Sequence, residues 1–154
     1  FKQYDTTVGF QRVLATPAVN PTLPTPARIY GYGAVVEYSA LIGRATTPLV
    51  DATAPGRFVI ITNARDYTAV NTRAPYAPWT NVEGGLNGKE QVPIAVSVNG
   101  VIAGIARTTP SALGTPAFTA ILDPKYFVDG LNDVQVYVIE GPPDAPRLVL
   151  AKRV

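Results

Sequence analysis

The stretch Val92-Pro-Ile-Ala-Val-Ser-Val-Asn-Gly-Val-Ile-Ala-Gly-Ile-Ala-Arg107 decides the fold. Asn99-Gly100 at its centre favours a type I′ turn, because both central residues of that turn need positive φ and its twist matches the strands it joins. On the leading side Val92, Ile94, Val96 and Val98 share one face, while Ala95, Ser97 and Asn99 share the other. The stretch reads as a β-hairpin with one core side.

The same alternation recurs on either flank. Residues 133–140 place Val134, Val136 and Val138 toward a core, residues 117–122 read as a further strand, and residues 147–152 as the last one, after the rigid loop Gly141-Pro-Pro-Asp-Ala-Pro146. Arg57-Phe-Val-Ile-Ile-Thr-Asn63 is a continuous apolar run rich in β-branched residues, which predicts a strand central in its sheet and buried on both faces. Residues 123–130 read as a turn or a single helical turn closed by Gly130. Residues 34–43 carry Val35, Tyr38, Leu41 and Ile42 near helical spacing, so a short helix or a strand belongs there. Short strands separated by turns predict an all-β fold, specifically an antiparallel β-sandwich.

Composition agrees. The chain has 154 residues, 47% of them hydrophobic and 16% charged, which suits one domain with a substantial core. Its 15 prolines and 13 glycines argue for many turns and against long helices. Four prolines fall within residues 14–27, so residues 1–27 read as an extended arm, either a connector or an ordered polyproline-like strap, and residues 28–154 as the sandwich. The chain starts at Phe1, which reads as a processed protein or an excised domain.

Missing residue types narrow the chemistry. Without cysteine there are no disulfides, thiolate nucleophiles or sulfur-based zinc sites; without histidine the usual general base and commonest metal ligand are gone. No cofactor is expected. A net charge of +2 with no basic cluster gives no reason to expect nucleic acid, and no run reaches the roughly 18 apolar residues of a membrane-spanning helix.

Four stretches invite catalytic or ligand readings. Asp129 and Asp133 could form a carboxylate pair acting on a glycoside, but Asp129-Gly130 and Asn132-Asp133 are turn residues whose side chains cap local backbone. Arg65-Asp66 reads the same way, and no loop has the Asp and Asn spacing of a calcium site. Gly84-Gly85-Leu86-Asn87-Gly88-Lys89 resembles a phosphate loop, yet Glu90 stands where that motif needs a hydroxyl, so a mobile turn is expected. Tyr67, Arg73, Tyr76 and Trp79 lie together in a proline-bearing segment. Their rings could stack on sugars or on a partner's loop; alternatively Trp79 plugs one end of the sandwich and the tyrosines cover its rim.

The order of Glu37-Tyr-Ser-Ala-Leu-Ile-Gly-Arg44, residues 67–70, Pro78-Trp-Thr-Asn-Val-Glu-Gly84, Ile94-Ala-Val-Ser-Val-Asn-Gly-Val-Ile-Ala103, residues 118–122 and Asp129-Gly-Leu-Asn-Asp-Val134 resembles a particular module. It is similar to the extracytoplasmic C-terminal β-domain of bacterial polytopic membrane proteins, including sulfatase-like hydrolases or transferases of the cell envelope. The resemblance spans residues 38–140 and implies a periplasmic or cell-surface location, with catalytic metal ligands and nucleophile in another domain. The expected role is a non-catalytic accessory module that packs on a neighbouring domain or binds an envelope glycan through Tyr67, Arg73, Tyr76 and Trp79. A second reading is a structural subunit of a surface filament or layer, self-assembling by strand exchange through residues 1–14.

Overall fold

The computed structural model describes residues 35–154 apart from 89, 90 and 113, so the arm at residues 1–27 and its strand exchange lie outside the described residues. Seven strands follow in order: β1 Arg57–Ile61, β2 Asn81–Leu86, β3 Pro93–Val98, β4 Val101–Arg107, β5 Ala117–Ile121, β6 Val134–Glu140 and β7 Arg147–Arg153. The all-β expectation holds. Residues 34–43 contribute a 3-10 helix, Val36–Leu41, and a further 3-10 turn, Pro124–Tyr126, falls within 123–130.

The antiparallel sandwich is replaced by one mixed sheet. Its strand order is β4-β3-β6-β7-β1-β2-β5, with β1 and β7 parallel and every other pair antiparallel. The sheet curls until its two ends nearly meet. Asp123 N–H donates to the Ala103 carbonyl at 2.9 Å, and Thr109 exchanges two hydrogen bonds with Ala117 at 2.8 and 3.0 Å. A strongly twisted sheet that bends this far can surround its own core, which a sandwich needs two sheets to do.

The hairpin supplies the bend. Asn99 and Gly100 take φ of 51° and 80°, as the turn requires. Further along, Val96 pairs with Gly104 but Ser97 pairs with Ile102, leaving Ala103 as a bulge residue. The bulge puts Ile102 and Ile105, three residues apart, into the same cluster on the outer face. It also presents the Ala103 carbonyl to Asp123, fastening the end of β5 to β4.

Two apolar clusters result. Inside the curl, Ile94, Val96 and Val98 meet Val134, Val136, Val138, Val59, Val82, Phe118 and Leu122. Outside, Val35, Leu41, Tyr38, Ile42, Leu49 and Val50 cover Ala95, Ile102, Ile105, Tyr137, Ile139 and Leu148. Residues 35–51 are tied down at both ends of this path: Glu37 pairs with Arg107 at 3.1 Å, and Asp51 N–H donates to the Leu148 carbonyl at 2.9 Å. The hairpin is therefore buried on both faces rather than one.

Strand β1 reverses the other way. It is interior to the sheet, as expected, but only Val59 and Ile61 are buried, while Phe58 and Ile60 are 53% and 54% exposed. Residues 35–51 reach only the outer face of β4, β3, β6 and β7, so a continuous apolar run did not mean two covered faces. The glycine-rich segment is likewise corrected: Gly84, Gly85 and Leu86 belong to β2, not to a mobile turn. A Cβ on Gly84 would collide with the Ile60 carbonyl oxygen of the adjacent strand and fall 2.9 Å from the Phe118 ring, so this glycine allows close approach of both a neighbouring backbone and an inward ring.

One buried polar group stands out. Ser97 is 1% exposed, and its hydroxyl finds no hydrogen-bond partner among the described residues. Because an unpaired buried hydroxyl has lost its water without compensation, Ser97→Ala is expected to leave stability unchanged or raise it by up to about 1 kcal/mol. The denaturant midpoint measures this; a loss above about 1 kcal/mol would show that the hydroxyl is satisfied in solution.

Candidate interaction surface

Three neighbourhoods carry the side chains with functional potential. The first is the barrel end where residues 62–80 and 122–133 converge. The 3-10 turns Ala64–Tyr67 and Pro78–Thr80 point Tyr67 and Trp79 inward against Phe127, with ring centroids 6.4 and 4.7 Å away. Trp79 is 6% exposed and Tyr67 2%. The Tyr67 hydroxyl donates to the Asn81 carbonyl at 2.8 Å, and burial pushes its phenol pKa well up, so it stays a donor.

Arg73 and Tyr76 lie elsewhere. Tyr76 is 76% exposed, and the loop carrying both is held from below by Asp129, whose carboxylate accepts the Thr72 N–H and hydroxyl, each at 2.7 Å. Those two bonds hold the Asp129 carboxyl below its usual range, and the Arg73 guanidinium adds to the effect. Of the four aromatic and basic residues singled out in sequence, the fold thus gathers Tyr67 and Trp79 into a stopper around Phe127 and leaves Arg73 and Tyr76 in solvent. Asp129 is occupied by Thr72, and Asp133 accepts from Gln135 at 2.8 Å. Among the described residues no three acidic side chains group to hold a metal.

The second neighbourhood joins the hairpin turn to residues 126–133. The Asn99 amide donates to the Asn132 side-chain oxygen at 2.9 Å and to the Tyr126 carbonyl at 3.2 Å, while its oxygen accepts the Asp133 N–H at 3.0 Å. Asn132, 4% exposed, in turn bonds both backbone groups of Val128 and the Gly130 carbonyl. These bonds leave a shallow pocket of about 350 Å³ beside Thr68, Leu131 and Arg153. A second, of about 450 Å³, opens between β4 and β5 beside Arg107, Thr108, Thr109 and Thr119.

The third is the outer face of β1, β2 and β5 together with β7 beyond Leu148, which residues 35–51 leave uncovered. Phe58 and Ile60 stand on one side of β1, Leu150 (37% exposed) on β7 and Ile121 (46%) on β5, with Gly85 and Ala117 level with Ile60. Lys152 lies beside Phe58, and Glu83 lies two residues along β2 from Gly85. Sequence reading missed this surface because an unbroken apolar run carries no mark of which side will be covered. No family model, curated protein or solved structure matches the chain. Any functional reading therefore rests on these surfaces and on the sequence resemblance.

Proposed function

We propose that this domain is a non-catalytic accessory module on the outer side of a bacterial membrane protein of the cell envelope, packing on a neighbouring domain through the outer face of β7, β1, β2 and β5. The observation that carries the reading is the pair Phe58 and Ile60, large apolar side chains left half exposed on the middle of a sheet. Fully burying a side chain of that size is worth about 1.5–3 kcal/mol, so covering the exposed half contributes roughly half of that, and contiguous exposed apolar side chains commonly mark an interaction site. The resemblance to extracytoplasmic β-domains supplies the setting. An envelope glycan remains the second ligand class; it would meet Arg73 and Tyr76, the two exposed members of the loop.

The absence of cysteine makes a direct test simple. Ile60→Cys in the intact membrane protein is expected to alkylate at least about tenfold more slowly than in the isolated domain, as a buried interface protects its centre. Equal rates would reject packing at this face. The filament reading ranks lower because the two edge strands, β4 and β5, face each other across the seam and are joined there by the Asp123–Ala103 and Thr109–Ala117 bonds, which leaves less free edge for an incoming strand. A monodisperse monomer in size exclusion, with or without residues 1–14, would count further against it.

A further inference from the structure

The chain contains two Asn-Gly pairs, Asn87-Gly88 and Asn99-Gly100, and the fold treats their side chains differently. We propose that Asn87 is a site of spontaneous deamidation in the native protein and that Asn99 is held against the same reaction. In the first step the backbone nitrogen of the following glycine loses its proton to hydroxide and attacks the asparagine Cγ. The N–Cγ bond forms, the Cγ–Nδ2 bond breaks and ammonia leaves, taking its extra proton from water. Water then opens the succinimide, giving aspartate or isoaspartate according to which carbonyl carbon it attacks.

The reaction needs Nδ2 free to leave and the backbone free to swing the glycine nitrogen toward Cγ. At Asn99 both are opposed: Nδ2 donates to Asn132 and Tyr126, Oδ1 is held by Asp133 N–H, and the turn is closed by the Val98–Val101 and Ser97–Ile102 pairs of its own hairpin. Residue 99 reacts only when this end of the barrel opens. Asn87 is exposed and lies past the end of β2; it too is held through Oδ1, by Phe58 N–H at 2.6 Å, and its own N–H donates to the Phe58 carbonyl at 3.0 Å, so the two sites differ at Nδ2 and in the closed turn rather than at Oδ1. No hydrogen bond to its Nδ2 is found among the described residues, and Gly88 follows at φ 114°.

The two sites fall in separate tryptic peptides, 74–89 and 90–107, so one experiment reads both. The native protein is incubated in mildly alkaline buffer, sampled over days, digested and scored by mass for loss of the amide and by isoaspartate detection. Asn87 is expected to convert at least about tenfold faster than Asn99, since Asn99 is limited by local opening. In denaturant the two rates are expected to converge to within about threefold, because both pairs then react as unfolded peptides. Equal native rates, or a faster Asn99, would overturn the proposal, as would a native ratio that persists in denaturant, which would trace the difference to sequence neighbours rather than to the fold. Asn132→Ala, where it folds, is expected to raise the Asn99 rate and leave that of Asn87 unchanged; no change at Asn99 would remove the Asn132 bond from the explanation.

Discussion

Gly104→Val is expected to destabilise the domain by at least about 3 kcal/mol, the upper range for forcing volume into a packed interior. Gly104 lies on β4 where the seam with β5 is tightest. A Cβ there would collide with the Ile121 carbonyl oxygen and fall 2.8 Å from Leu122 Cδ2. The first obstacle is backbone, so it cannot rotate away, and the strand itself would have to move. Moving it breaks the Asp123 bond to the Ala103 bulge, the link that closes this end of the seam. Gly100→Ala is the control: its φ is 80°, but its Cβ would meet nothing within 4 Å, so only the left-handed backbone penalty of about 1–2 kcal/mol applies. Denaturant unfolding of the two variants measures the difference. A Gly104→Val cost no larger than that of Gly100→Ala would mean that the sheet ends separate readily and that the curl is not closed in solution.

Trp79→Ala is expected to cost about 3–5 kcal/mol, the range for removing a buried large aromatic, whereas Tyr76→Ala should stay within about 0.5 kcal/mol, as exposed substitutions do. Trp79 fills the barrel end against Phe127, and its removal leaves a cavity that the rigid turns Pro78–Thr80 and Pro124–Tyr126 cannot collapse to fill. Tyr76 touches solvent over most of its surface. The pair separates the roles of two aromatic residues only three apart in sequence. A Trp79→Ala variant with unchanged stability would return Trp79 to the list of ligand-facing residues.

How much of this was legible in the chain varies by element. The Asn99-Gly100 hairpin, the alternation of Val134, Val136 and Val138, and the last strand were readable because turn chemistry and period-two burial are local properties. The bulge at Ala103 had a signal that was available: Ile102 and Ile105 are large, apolar and three residues apart, a spacing no regular strand can bury on one face. Strand β2 was hidden because Asn81-Val-Glu-Gly-Gly-Leu86 has the composition of a turn; Gly84 lies against the Ile60 carbonyl and the Phe118 ring, and Gly85 against Thr115, neighbours the local sequence does not show. The loop of Tyr67, Arg73, Tyr76 and Trp79 was readable as a cluster but not as a division into buried and exposed halves, since that depends on Phe127, some fifty residues on.

By itself, the sequence determined that this chain is all-β, that it turns at Asn99-Gly100, and that its chemistry proceeds without histidine or cysteine. Each of these follows from residue identity or from contacts between near neighbours. Only the tertiary structure decided that the strands form one curled sheet, that β1 pairs in parallel with β7 from the far end of the chain, and that residues 35–51 cover one half of the outer surface while Phe58 and Ile60 stay bare. Those outcomes depend on which surfaces meet after the sheet bends, and the bend is set by a bulge and a seam glycine whose partners lie elsewhere in the chain.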